Sequence, residues 1–196
     1  MLFRSYTVFA GGDDFFLIGP WAETQALAGT LAEHFAKFVA GNPELHFSAG
    51  MVMVKPGIPV RALAETAEDA LEQAKKIDGK NAVTCHQVSV SWSSLASMKQ
   101  LEQSLETFRA DYRMSTGFVY RLLTLSQMAE GKKPEDSIWQ SWLAYRVRRF
   151  VVDQLPSHLD RQQAQADIAG KLRAALLDHK LAVRIAVSNH LYRYRT

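Results

Sequence analysis

Two apolar runs open the chain, residues 5–10 and 15–19, rich in β-branched and aromatic side chains and separated by Gly11-Gly12-Asp13-Asp14. This pattern predicts a β-hairpin whose two glycines give the turn access to positive φ. From Trp21 to about Ala40, Leu27, Leu31, Phe35 and Phe38 recur at helical spacing until Gly41-Asn42-Pro43 ends the run, so an amphipathic helix is expected. The stretch from His46 to Val54 is apolar at almost every position, which predicts a central strand buried on both faces. A second helix is expected to begin near Pro59, with Leu63, Ala67, Ala70, Leu71, Ala74 and Ile77 as its apolar stripe and Gly79 as its C-terminal cap. A short strand from Ala82 to Cys85 follows.

Beyond Ser91 the β-type alternation stops and helical periods take over. Helices are expected over 92–112, 115–130, 135–154, 158–178 and 180–194, with Gly131-Lys132-Lys133-Pro134 and Pro156-Ser157 as breaks. The chain of 196 residues therefore reads as an α/β (α+β) domain at 1–90 and an all-α helical bundle domain at 91–196. Charge divides at the same place. Residues 1–90 hold 7 Lys+Arg against 10 Asp+Glu, net −3, and residues 91–196 hold 16 against 10, net +6, which makes the second half the candidate surface for nucleic acid or acidic partners. No window has the roughly 18 consecutive apolar residues of a membrane span, and no signal-peptide core follows Met1, so a cytoplasmic location without membrane association is expected. Cys85, the single cysteine, has no disulfide partner within the chain.

The chemistry concentrates at the first turn. Asp13 and Asp14 put carboxylates at a hairpin tip beside glycines that let a ligand approach the main chain, a combination suited to a hard divalent cation and phosphate. An ordinary Gly-Gly-Asp turn with solvated acids is the structural alternative. Lys75 and Lys76 end the second helix, where cations favour the macrodipole or reach a phosphate. The six histidines form no metal motif, and Trp21, Trp92, Trp139 and Trp142 read as packing anchors. Arg146, Arg148, Arg149, Arg184, Arg193 and Arg195 make the late helices basic, leaving open a solvated face, contact with an RNA backbone, or packing against another helical subunit.

The order of hairpin, helix, strand, helix ending in Ala74-Lys75, then Gly79-Lys80-Asn81-Ala82-Val83 resembles the palm shared by nucleotide cyclases and GGDEF signalling domains. The signature here is Gly-Gly-Asp-Asp within Tyr6-Thr7-Val8-Phe9-Ala10-Gly11-Gly12-Asp13-Asp14-Phe15-Phe16-Leu17-Ile18-Gly19. It resembles more closely the large, polymerase-like subunit of type III CRISPR effector complexes of subtype III-A. Leu143-Ala144-Tyr145-Arg146-Val147-Arg148-Arg149 and Leu191-Tyr192-Arg193-Tyr194-Arg195 are similar to that family's last, helical domain. The resemblance implies a ferredoxin-like palm that lacks its first strand and, with it, an additional metal-binding aspartate. The chain would then be a C-terminal fragment, inactive by itself. It implies that Asp13 and Asp14 are catalytic and bind Mg²⁺ or Mn²⁺, and that Gly11, Gly12, Lys75 and Lys80 contact ATP. The complete subunit would join ATP into cyclic oligoadenylate for antiviral defence. The implied partners are the small helical subunit, the neighbouring repeat-associated subunit, and guide and target RNA. No His-Asp dipeptide of the family's nuclease domain occurs in the sequence. Two rivals are a GTP-using cyclic-dinucleotide synthase of the GGDEF class and a catalytically inactive assembly module.

Overall fold

The computed structural model describes residues 5–194 and separates into two compact units, one up to Ala96 and one from Ser97. The first unit is mixed α/β. Strands β1 (Tyr6–Gly11) and β2 (Asp14–Ile18) form a two-stranded antiparallel sheet, with a bulge between Thr7 and Phe9. Helix α1 (Trp21–Phe38) and helix α2 (Val60–Lys75) flank the short strand β3 (Ala49–Met51) in the chain. Strands β4 (Ala82–Cys85) and β5 (Val88–Ser91) complete a three-stranded sheet of order β3-β4-β5.

Several expectations change here. The apolar stretch from His46 to Val54 yields only three strand residues, half-buried and at the sheet edge, and β4 is the central, fully buried strand. The β1–β2 hairpin forms a sheet of its own, so among the described residues β3 has no neighbour on its second side. Helix α2 ends at Lys75, capped by Lys76, and Gly79 serves the following turn instead, at φ 77° beside Lys80 at φ 53°. Strand β5 went unforeseen because its turn, His86-Gln87, holds both residues at positive φ (52° and 65°) without the Asn or Gly that advertises such a hairpin.

Gly50 sets how α2 lies on β3. A Cβ added there would fall 2.3 Å from both the Ala67 carbonyl oxygen and the Leu71 nitrogen, so the helix backbone rests directly on the strand backbone. Ala70 and Ala74 are buried on the same face of α2. Just before β3, Phe47 meets three other rings at centroid distances of 6.2 Å (Phe15), 5.8 Å (Phe35) and 5.4 Å (Trp92), and its carbonyl accepts a 2.8 Å hydrogen bond from Trp92 Nε1. An isolated two-stranded hairpin is marginal in water, and the Phe15–Phe47 stack anchors this one.

In the second unit, the later part of α3 (Trp92–Tyr112) is followed by α4 (Thr116–Glu130), α5 (Trp139–Phe150), α6 (Arg161–His179) and α7 (Val183–Arg193). Caps fix two of the starts. Ser115 Oγ accepts from the Phe118 N–H, and Asp160 Oδ1 accepts from the Gln162 and Gln163 N–H groups. The helix expected over 135–154 breaks into a 3₁₀ turn at Pro134–Ile138, α5, and a second 3₁₀ turn at Val152–Gln154. Helix α4 touches α5, α6 and α7, and Phe118, Leu122, Leu125, Leu143, Ile168, Leu172, Leu176 and Ile185 fill the core.

A polar network joins α3 to the chain's last helix. Glu102 accepts from Asn189 Nδ2 at 3.1 Å and from Arg193 Nη2 at 2.5 Å, and the Glu106 carboxylate accepts from the Tyr194 hydroxyl. His190 is fully buried, with Nδ1 3.1 Å from Glu106 Oε1. Burial lowers the His190 pKa, against the opposing pull of the Glu106 charge.

This packing makes two measurable demands. Gly50→Ala should destabilise the first unit by about 3 kcal/mol or prevent its folding, since the clash is with α2 backbone, which cannot rotate away as a side chain can; urea unfolding followed by Trp fluorescence measures it. For His190, the unfolded imidazole takes up a proton near pH 6.5 whereas the folded one does so only at lower pH. Stability is therefore lost as pH falls below about 6.5, and His190→Gln should flatten that part of the pH–stability curve.

Candidate functional site

The turn carrying the acids is short because glycine permits it. Gly11 pairs with Asp14 at the end of the ladder, leaving Gly12 and Asp13 as the two turn residues. Of these, only Gly12 lies at positive φ (62°), the arrangement of a type II′ turn with glycine in its first central position. One glycine, not two, supplies the positive φ. Gly11 instead makes room for a ring: Phe9 lies over it, and an added Cβ would come within 3.1 Å of Phe9 Cζ. Asp13 and Asp14 are both exposed.

Lys75 closes α2, and its Nζ donates to Glu72 Oε1 at 2.9 Å. That hydrogen bond raises the Lys75 pKa, and the charges of Glu72 and Asp14 add to the effect. The hairpin acid and the helix lysine therefore share one electric field. Glu72 feels several cations in return. Its pKa is lowered by the hydrogen bond and charge of Lys75 first, then by the charges of Lys76 and Lys80. Lys80 is pinned by its backbone, its carbonyl accepting from the Ser48 hydroxyl and from the Ala82 N–H.

Lys75 is thus near enough to Asp14 to feel its charge, and Lys80 acts on Glu72, the partner of Lys75, while Gly12 and Asp13 form the turn beside Asp14. The donor set suits a hard cation only in part. Two exposed carboxylates match the one or two that Mg²⁺ takes together with phosphate oxygens and water, and no cluster of three or more His, Cys, Asp or Glu ligands exists among the described residues. Sequence reasoning missed Glu72, although its spacing of three from Lys75 on a helix was visible, and it missed Gly50, which no local pattern marks.

The basic late helices divide into distinct fates. Arg193 belongs to the Glu102 and Glu106 network, and Arg148 pairs with Asp153 at 2.9 Å. Arg195 lies outside the described residues. Of the four tryptophans, Trp139 is buried as expected, but Trp142 is exposed and is not a packing anchor. No helix among the described residues is long and apolar enough to cross a membrane.

A hairpin bearing paired aspartates, followed by helix, strand, helix and strand, defines a palm-type domain. Residues 3–84 match the family model described as Cas10/Cmr2, second palm domain, and this part of the chain belongs to that family. Its relatives are described as the CRISPR system single-strand-specific deoxyribonuclease Cas10/Csm1 (subtype III-A). The chain is 28% identical to the protein of Mycobacterium tuberculosis over 96% of its own length and 22% of the relative's. It is 31% identical to that of Enterococcus italicus over 74% of its length and 19% of the relative's, and 35% identical to that of Methanocaldococcus jannaschii over 44% and 12%. The chain thus spans about a fifth or less of these relatives.

Removing the Glu72 charge should move the lysine first. In Glu72→Gln, Lys75 loses the carboxylate that is both its hydrogen-bond acceptor and its nearest anion, so its ammonium should titrate at lower pH than in the wild type. An NMR titration of the lysine side chains measures the change, and an unmoved Lys75 would contradict the pairing.

Proposed function

We propose that, within a complete type III CRISPR effector subunit, the first unit binds ATP with Mg²⁺ or Mn²⁺ and takes part in joining ATP into cyclic oligoadenylate. The observation that carries this reading is the pair of exposed carboxylates on a tight glycine turn, one of which, Asp14, is near enough for its charge to act on Lys75. Asp13 and Asp14 are the residues that would hold the cation, which when bound activates the attacking 3′-oxygen and offsets charge on the α-phosphate and leaving pyrophosphate. Gly12 leaves the turn backbone open to the nucleotide. Lys75 exchanges Glu72 for the triphosphate, and Lys80 adds a second positive charge nearby.

This division of labour assigns nucleotidyl transfer, rather than the strand cleavage named for the relatives, to Asp13 and Asp14. Positioning two nucleotides for in-line attack supplies much of such a rate, so a second palm and a further carboxylate from outside this chain complete the site. The helical unit serves assembly, packing against a small helical subunit or a neighbouring repeat-associated subunit and, through the complex, meeting guide and target RNA. The working role is antiviral defence.

The test uses the complete subunit with ATP or GTP and Mg²⁺ or Mn²⁺. Asp13→Ala combined with Asp14→Ala should reduce cyclic product below detection while leaving assembly unchanged by gel filtration, because exposed turn acids contribute little to a core. Product at the wild-type level from the double variant would refute the catalytic assignment. Faster consumption of GTP than of ATP would replace cyclic oligoadenylate by a guanine-based product.

A further inference from the structure

The helical unit carries a surface that the nucleotide site does not use. On α5, Trp142, Tyr145, Arg146 and Arg149 fall at spacings of three, four and seven residues, so they share one helix face, which flanks the buried stripe of Trp139, Leu143 and Val147. Trp142 is 45% exposed and Tyr145 63%, and Tyr120 on α4 (57%) and Phe150 at the end of α5 (37%) are exposed as well, so large aromatic rings gather on the outside of these two helices.

Arginines sit among these rings. The Arg146 guanidinium lies 4.8 Å from the Trp142 ring centre and donates to the Arg121 carbonyl on α4 at 3.3 Å. The Arg121 guanidinium lies 4.4 Å from the ring of Phe150, itself 37% exposed. Both contacts hold a flat cation against a flat ring and keep the surface ordered. Helix α5 has no acidic residue, α4 has only Glu130 at its end, and among the described residues Arg121, Arg146 and Arg149 form no ion pair. Partial burial and the neighbouring Arg121 charge both lower the Arg146 pKa, as expected where cations crowd without an anion.

We propose that this face of α4 and α5 binds single-stranded nucleic acid, with bases stacking on Trp142 and Tyr145 and the backbone phosphates meeting Arg121, Arg146 and Arg149. Aromatic platforms bordered by uncompensated arginine suit an unpaired strand because every base presents a π-face and every linkage an anion. A helical protein partner would also meet exposed aromatics and arginine, but it would have to supply several carboxylates to neutralise this face. A nucleic-acid strand carries that charge along its whole length. This rests on the RNA contact proposed above for the helical unit, to which it gives a face and residues, and does not depend on the ATP site.

The 196-residue chain, titrated against a fluorescein-labelled oligouridylate of about 20 nucleotides at low salt, tests it by fluorescence anisotropy. Binding should be salt-dependent and accompanied by quenching of Trp fluorescence. Trp142→Ala should weaken it about tenfold, with the salt slope unchanged. Arg121→Gln, Arg146→Gln and Arg149→Gln together should reduce the salt slope by about two units. Arg173→Gln, an exposed site on α6, should leave affinity and slope as in the wild type. An oligouridylate left free at low salt, or one as sensitive to Arg173→Gln as to Trp142→Ala, would overturn the proposal and return this face to a protein partner.

Discussion

The first unit depends on the absence of a side chain at Gly50. Because α2 rests backbone on backbone against β3, any larger residue would have to push the helix outward, and the position of every later α2 residue would follow. The end of that helix is where Lys75 meets Glu72 and feels Asp14. Three residues before Gly50, Phe47 gathers rings from the hairpin, α1 and Trp92. One segment of the chain therefore locates both the lysine and the hairpin that bears the acids, through a close approach in one direction and aromatic packing in the other.

The second unit solves a different problem, that of fixing the register of α7. Its last helix has few charged residues of its own, and α3 supplies Glu102 and Glu106 to receive Asn189, His190, Arg193 and Tyr194. Partly buried charges contribute little net stability once desolvation is counted, but they penalise any helix register that leaves a carboxylate without its donors. The same network removes Arg193 from the basic surface. Arg148 is likewise occupied, so the net charge of +6 in this half gives a poor guide to where positive charge is available. The arginines that rest on exposed rings, Arg121 and Arg146, stay without an acidic partner among the described residues, and Arg149 beside them does too.

The paired aspartates sit where the hairpin is least supported. Both are exposed, and the strand before them exposes Tyr6, Val8 and Phe9 as well. A turn left outside the core takes its order from glycine geometry at Gly12 and from the anchoring of Phe15, and the exposure that results is what the proposed metal and triphosphate binding requires.

What the sequence determined by itself was local: the hairpin around Gly11-Gly12-Asp13-Asp14, the helices beginning at Trp21 and Trp92, the capped start near Ser115, and the signature by which the palm resembles its family. These rest on hydrophobic period, glycine at positive φ and side-chain caps, all of which act between residues near in the chain. Tertiary structure decided the rest. An apolar run from His46 to Val54 looks like a central strand because hydrophobicity reports burial without naming the neighbour, and β4 took the centre instead. Trp142 and Trp139 lie three residues apart and are the same residue type, yet one is core and the other surface, since only the packing of α4 and α6 against α5 decides which side of that helix is covered. Gly50, Glu72 and the fate of each arginine were hidden for the same reason: their partners lie across the fold or on a helix face whose orientation no local pattern specifies.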